Sequence, residues 1–216
     1  MEFNINIPTS LKDITLKQYK KFLKIQDGIE NTTFLQLKII EIFCNVDLKI
    51  AKAMRYTDVE QITAGILKLF TQQPTLVTHF IMNGEKYGFV PDLDNMTLGE
   101  YIDLDTYSSD YENIEIAMNV LYRPIKISKL NKYSIVDYTA LTPEVMKDMP
   151  LSAVIGSIFF LYNLGITLSK HMIHYSAGTE EEIIQVNQTL QQNGVGINQF
   201  MDSLTEILQD LKISLN

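Results

Sequence analysis

Met149–Tyr175 reads MPLSAVIGSIFFLYNLGITLSKHMIHY, and from Leu151 to Ser169 it carries no charged side chain. At about 1.5 Å of rise per residue, that uncharged run makes a helix of roughly 28 Å. Such a helix is apolar on nearly every side, so it must be surrounded, either by protein or by lipid. The residues favour protein. Gly156, Ser157, Asn163, Gly165 and Thr167 interrupt the run, and Tyr162 falls in its middle instead of at an interface, where aromatic belts sit. Lysines flank both ends, Lys147 before and Lys170 after, so there is no one-sided basic flank. The stretch is therefore expected to be a buried core helix over about 150–175. Its small residues Ala153, Gly156 and Ser157 are expected to admit a neighbouring helix, while Phe159, Phe160 and Leu164 fill the core.

The remaining chain supplies the covering pieces. Downstream, Thr179–Gln192 has Ile183, Val186 and Leu190 at inward spacing, and Asn193–Gly196 is expected to be a flexible connection. Ile197–Leu215 then carries the cleanest stripe, with Ile197, Met201, Leu204, Leu208, Leu211 and Leu215 on one helical face. Upstream, a short helix is expected at Pro143–Lys147, an extended or irregular piece at Lys126–Asp137, and a helix at Ser109–Tyr122 that ends before Pro124. Thr97-Leu-Gly-Glu100 has the spacing of a capping box and opens a short helix. Leu76–Met82 and Lys86–Val90 flank Asn83-Gly84, residues that tolerate the positive φ of a type I′ hairpin turn. Earlier still, Asp58–Gln72 is expected to be a helix capped by Asp58, with Val59, Ile62, Ile66, Leu69 and Phe70 inward. Asp47–Arg55 and Asn31–Asn45 are expected to be helices as well. Ser10–Asp13 and Thr15–Gln18 resemble capping boxes, so a further helix should run from about Thr15 to Gln26. Glu2–Ile7 alternates in polarity and predicts a short strand that adds to the hairpin. The pattern is that of an α+β, predominantly α-helical fold: helices packed around the central apolar helix, with a small antiparallel sheet built on the 76–90 hairpin. No repeat or long linker divides the chain, which predicts a single domain over 1–216.

Composition narrows the function. The net charge of −8 and the pI near 4.9 oppose a nucleic-acid surface, which needs clustered Lys and Arg against phosphate. Arg55 and Arg123 are the only arginines, leaving few candidates for bidentate recognition of phosphate or carboxylate. The single cysteine, Cys44, excludes an internal disulfide and a cysteine-rich zinc site. The opening residues MEFNINIPTS show neither a basic start nor an apolar signal segment, which predicts a cytoplasmic protein or a particle assembled there.

No catalytic signature emerges. There is no phosphate-cradling glycine loop and no G-x-S-x-G elbow. Between Lys86 and Arg123 no basic residue occurs, yet Asp92, Asp94, Glu100, Asp103, Asp105, Asp110, Glu112 and Glu115 all fall there. Asp92-Leu-Asp94-Asn95 opens like a calcium loop, but Met96 and Thr97 stand where a ligand and the turn glycine belong. Caps, turns and a solvated face account for these acids more simply; an acidic binding face is the alternative. His171 and His174 lie one helical turn apart, a spacing that can share a metal, but no third ligand is evident. His79 reads as structural, and Cys44 beside Phe43 reads as a buried, inert thiol. Lys17, Lys20, Lys21 and Lys24 form the one basic run, a solvated helix face or a dock for an acidic partner. The C-terminal leucines, Leu204 and Leu208 among them, either pack back on the core or dock to another subunit.

Two phrases carry a resemblance: Phe89-Val-Pro-Asp-Leu-Asp-Asn-Met-Thr-Leu-Gly-Glu-Tyr-Ile-Asp-Leu-Asp-Thr-Tyr107 and Val120-Leu-Tyr-Arg-Pro-Ile125, followed by an uncharged helix ending in Lys170-His-Met-Ile-His174. Together they resemble a group of structural and assembly proteins of tailed bacteriophages, of the crAss-like kind and related phages. The resemblance implies a virion or assembly protein: a neck or tail component, a packaged protein, or a tail-assembly chaperone. It brings no catalytic residue and no cofactor.

The expectation is thus a non-enzymatic virion component, assembled in the host cytoplasm, that meets other phage structural proteins and copies of itself. It involves no membrane and no sequence-specific nucleic-acid binding. Its candidate surfaces are the lysine run 17–24, the acids Asp92, Asp94, Glu100, Asp103 and Asp105, and Leu204 and Leu208. Opposite charge on the first two predicts head-to-tail contact between copies. A transient tail-assembly chaperone is the first alternative. A metal-dependent enzyme using the acidic 92–105 segment or His171 and His174 is the second.

Overall fold

A computed structural model describes residues 5–26, 32–108, 110–129, 132–140, 143–176 and 195–212, and for 143, 168–176 and 195–200 it describes the backbone alone. The described elements are α1 (Leu16–Gln26), α2 (Thr32–Phe43), α3 (Leu48–Lys52), α4 (Tyr56–Leu69), β1 (His79–Met82), β2 (Glu85–Phe89), α5 (Leu98–Tyr107), α6 (Ile114–Leu121), β3 (Tyr122–Lys129), β4 (Lys132–Ile135), α7 (Leu151–Ser176) and α8 (Val195–Asp210). Short 3-10 turns occupy Leu11–Asp13, Tyr111–Asn113 and Pro143–Asp148. The chain is α+β and predominantly helical, as its periodicities predict. Among the described residues, no helix is long and apolar enough to cross a membrane.

Helix α7 is the hub. Leu151, Ala153, Val154, Ile155, Ser157, Ile158 and Leu161 are all buried. Its start is pinned by a two-bond bridge to the N-terminal segment, Leu16 N–H to Met149 O at 3.0 Å and Leu151 N–H to Ile14 O at 2.8 Å. On one side Ser157 meets Met118 of α6 at 3.5 Å. On another, the Tyr122 hydroxyl donates to Ala153 O at 3.3 Å, and Phe89 packs edge-on to Phe160 with ring centroids 5.5 Å apart, which seats the sheet on the helix. Gly156 does admit a close neighbour, but not a helix. A Cβ there would lie 2.5 Å from Thr75 O, so the extended backbone at Thr75–Leu76 crosses α7 at this point.

The sheet is antiparallel with strand order β1-β2-β3-β4. Asn83 and Gly84 have φ of 52° and 79°, as the type I′ turn between β1 and β2 requires. The third strand differs from expectation. Residues 5–9 form no strand, and β2 pairs instead with β3 through Gly88↔Arg123 and Phe89↔Tyr122. The described part of the stretch expected to be extended or irregular, Lys126–Asp137, falls within β3, β4 and the segment after them, with a register shift between Ile125 and Ile127. Gly88 lies beneath the Tyr133 ring, 2.6 Å from where a Cβ would be, and the Tyr133 hydroxyl donates to Phe89 O.

Helices α1, α2 and α4 extend the same core. Tyr19, Phe22, Phe43 and Phe70 form an aromatic cluster with centroid separations of 4.9 Å for Tyr19–Phe70 and 5.4 Å for both Phe22–Phe43 and Phe43–Phe70. The Tyr19 hydroxyl also reaches Leu211 O at 2.6 Å, tying α1 to the end of α8.

Several boundaries move. Thr15 and Gln18 exchange the expected reciprocal bonds, at 2.9 and 3.2 Å, and open α1. Asp58 does not cap α4; it lies inside the first turn and pairs with Arg55, the residue at the cap position, at 3.0 Å. The helix expected over Ser109–Tyr122 is a 3-10 turn followed by α6, and Asp110 accepts the Glu112 amide at 2.9 Å to start the turn. α8 begins at Val195, inside the expected connection, and ends at Asp210. The helix expected over Thr179–Gln192 lies outside the described residues.

Candidate functional site

Helix α5 concentrates the features that a contact surface needs. Its start is a reciprocal cap: Glu100 N–H donates to Thr97 Oγ1 at 3.3 Å, and Thr97 N–H donates to Glu100 Oε2 at 2.7 Å. The other Glu100 oxygen accepts from Arg123 Nη2 at 2.7 Å, and both side chains are buried. Arg123 comes from β3, so this pair staples α5 to the sheet. Its guanidinium also lies 6.0 Å from the Tyr138 ring centroid, and the Tyr138 hydroxyl donates to Asp103 Oδ2. Burial raises the Glu100 carboxyl, but the Thr97 donors and the Arg123 charge outweigh it and hold the group below its usual range. Burial and the Asp103 carboxylate together push the Tyr138 phenol far up.

Glu100, Asp103, Leu104 and Tyr107 therefore occupy the inner face of α5, at the i, i+3, i+4, i+7 spacing of one helical side. The same spacing displaced by two residues gives Leu98, Tyr101, Ile102 and Asp105. That face points outward: Leu98 is 74 % exposed, Tyr101 55 % and Ile102 50 %. The helix is partly inverted: Glu100 is buried and Asp103 half-buried beside the buried Leu104, while the large apolar Leu98, Tyr101 and Ile102 are exposed with Asp105. Asp105 within α5 and Asp94, three residues before the Thr97 cap, are both exposed.

The other acids of the window are committed elsewhere. Asp92 accepts the Asp94 amide at 3.1 Å and the Asn95 side-chain amide at 2.6 Å, closing its own turn. Glu115 is buried against Lys20 at 2.8 Å, with Lys147 at 3.3 Å. Asp92, Asp94, Glu100, Asp103 and Asp105 thus do not converge. Among the described residues, no group of three or more His, Cys, Asp or Glu is placed to hold a metal ion.

The basic run is split by the fold. Lys20 is buried; besides Glu115 it donates to Glu112 O at 2.6 Å, and it lies 5.6 Å from the Tyr111 ring centroid. Lys24 pairs at the surface with Glu112 at 3.0 Å. Only Lys17 and Lys21 of the run are left exposed with no ion pair to a described residue. Much of the basic–acidic pairing expected between copies is thus made inside one chain, and with α6 and its preceding turn instead of the 92–105 segment.

Leu204 and Leu208 are buried, together with Ile207 and Leu211. The stripe of α8 packs on α7, where Gly165 lets Met201 approach, so these leucines offer no surface. Cys44 is buried, and burial pushes its thiol up to about 11. His79 packs on the edge of Tyr133 with centroids 4.6 Å apart. The side chains of His171 and His174 lie outside the described residues.

Clefts add little chemistry. One of about 220 Å³ is lined by Asn119, Arg123, Asp137 and Thr139; Asn119 bonds Thr139 O, Asp137 pairs with Lys126 and Arg123 Nη2 pairs with Glu100, while the buried Arg123 Nε has no partner among the described residues. Sequence reading missed the outward stripe of α5 because its window was read for charge. The signal was present, since Leu98, Tyr101 and Ile102 share a helical face opposite the capping Glu100. Compared with known proteins, the chain matches no family model, no curated protein and no solved structure.

Proposed function

We propose that this chain is a non-enzymatic component of a tailed-phage particle, a neck, tail or packaged protein, that works through protein–protein contacts. The observation that supports contact is the outer face of α5. Exposed large apolar residues on a rigid, doubly stapled helix are what an interface anchor requires, and scattered single exposures would not suffice. The stapling matters as much as the exposure, because a helix that is already ordered has little entropy to lose on docking. The sequence phrases spanning Phe89–Tyr107 and Val120–Ile125, which resemble phage structural and assembly proteins, supply the setting.

Mass spectrometry of purified virions, with copy number, tests the reading. A fixed copy number per particle is the expected result. Presence in infected cells with absence from finished particles would replace a permanent component with an assembly chaperone.

A further inference from the structure

We propose that the partner of the α5 face is the β3–β4 hairpin of a second copy of this chain, in a head-to-tail contact. The inference rests on the contact-protein reading above and names its partner.

The argument starts from what the stripe needs. A stable contact covers about 800 Å² on each partner, more than Leu98, Tyr101 and Ile102 supply, so the rim must take part. That rim is acidic. Asp94 and Asp105 are exposed, and the only basic residue between Gly88 and Pro124 is Arg123, which is buried against Glu100. The complementary surface is therefore apolar at its centre and basic around it. Two copies meeting α5 to α5 would set the exposed acids of one face against those of the other, like charge against like, which disfavours a two-fold contact.

The β3–β4 hairpin has the required character. Ile127 is 66 % exposed. Lys126, Lys129 and Lys132 flank it along the hairpin, all exposed, and among the described residues only Lys126 of the three has a carboxylate within reach, Asp137 at 3.4 Å. Lys129 and Lys132 are direct cross-strand partners in the register. Like charges placed opposite each other destabilise a ladder, and a carboxylate brought between them relieves that repulsion. Among the described residues, the chain thus carries a basic hairpin whose Lys129 and Lys132 have no carboxylate partner, with an exposed apolar residue, and an exposed apolar helix face with exposed acids beside it in sequence. Each is the other's complement, and they are different patches of one surface. A contact between them is heterologous and repeats, closing into a ring or extending as a filament according to its rotation.

The test uses the full chain in sedimentation velocity over a range of concentrations and salt. Wild-type protein is expected to self-associate, and tenfold or more weakly when salt rises from low to several times physiological strength. Leu98→Glu with Ile102→Glu removes the helix side, and Lys129→Glu with Lys132→Glu removes the hairpin side. Each variant alone is expected to be monomeric. An equimolar mixture is expected to give a 1:1 complex and nothing larger, because each partner retains one working patch. Tyr101→Ser with Asp105→Lys is a second helix-side variant should the first not fold. A wild-type chain that stays monomeric at every concentration overturns the proposal, and so does an oligomer indifferent to the lysine reversals. A monomeric chain found at fixed copy number in virions overturns only this inference and leaves the contact function standing with a different partner.

Discussion

Helices α5 and α8 are both amphipathic, and they are mounted in opposite senses. α8 turns Leu204, Ile207 and Leu208 into the core, as does Leu211 just past its end, and leaves Asp202, Glu206, Gln209 and Asp210 exposed. α5 turns Glu100 inward and leaves Leu98, Tyr101 and Ile102 outside. Periodicity alone does not distinguish these cases, because a stripe shows only that one face differs from the other. What decides the mounting of α5 is one carboxylate with two tasks. Glu100 closes the helix cap and binds Arg123, so the face that carries it is committed to the sheet. Among its described side chains α8 has no buried ion pair of this kind; the Tyr19 hydroxyl holds its end at Leu211 O, and burial of its leucines against α7 accounts for its orientation.

The largest effect is expected where the inversion is held. Arg123→Met leaves the Glu100 carboxylate buried without its counter-charge, a change of about 3–5 kcal/mol, measurable by equilibrium denaturation. The same variant has a pH signature. Glu100 titrates below its usual 4.5 in the folded chain, so its contribution is complete above that value and is lost as pH falls through the lower, folded pKa. Without Arg123 the acid-side slope of stability is expected to flatten. If instead the slope is unchanged, the pair does not set the Glu100 ionisation.

Next comes the ordinary helix. Leu208→Ala opens a cavity beneath α8 and is expected to cost about 2–5 kcal/mol, seen as a shift of denaturation midpoint at constant slope. Thr97→Ala removes one half of the α5 cap and is expected to cost about 1 kcal/mol. A much larger loss there would mean that the cap, and not the Arg123 pair, holds the inversion.

Legibility followed range along the chain. The Asn83-Gly84 turn, the caps at Thr15 and Thr97, and the run that became α7 are signalled within a few residues of where they act. Long-range consequences were not legible. Nothing near Gly156 says that the Thr75 backbone crosses it. Nothing around Lys20 says that Glu115, ninety-five residues on, will bury it. The β3–β4 pairing was not read although Ile125-Lys126-Ile127-Ser128 and Lys132-Tyr133-Ser134-Ile135 both alternate, because each run is short, β4 spanning only Lys132–Ile135, and the register shift between Ile125 and Ile127 follows from no local residue. The candidate site was half legible: its acids were visible as a cluster, but which of them a fold would spend on caps and ion pairs depended on Arg123 and Tyr138, more than twenty residues away.

The smallest effect separates a contact surface from a packing surface. Leu98→Ser changes a side chain that is 74 % exposed and lies on the face opposite Glu100. Folding stability is expected to move by less than about 0.5 kcal/mol, the range for surface positions, while Leu208→Ser on α8 is strongly destabilising because it buries a hydroxyl where a leucine packed. The informative quantity is the ratio of lost association to lost stability. For Leu98 that ratio is expected to be large, with self-association weakened several-fold in a chain whose denaturation midpoint is unchanged. Should the midpoint of Leu98→Ser fall as Leu208→Ser does, Leu98 is packed within its own chain, and the outward face of α5 is core and not interface.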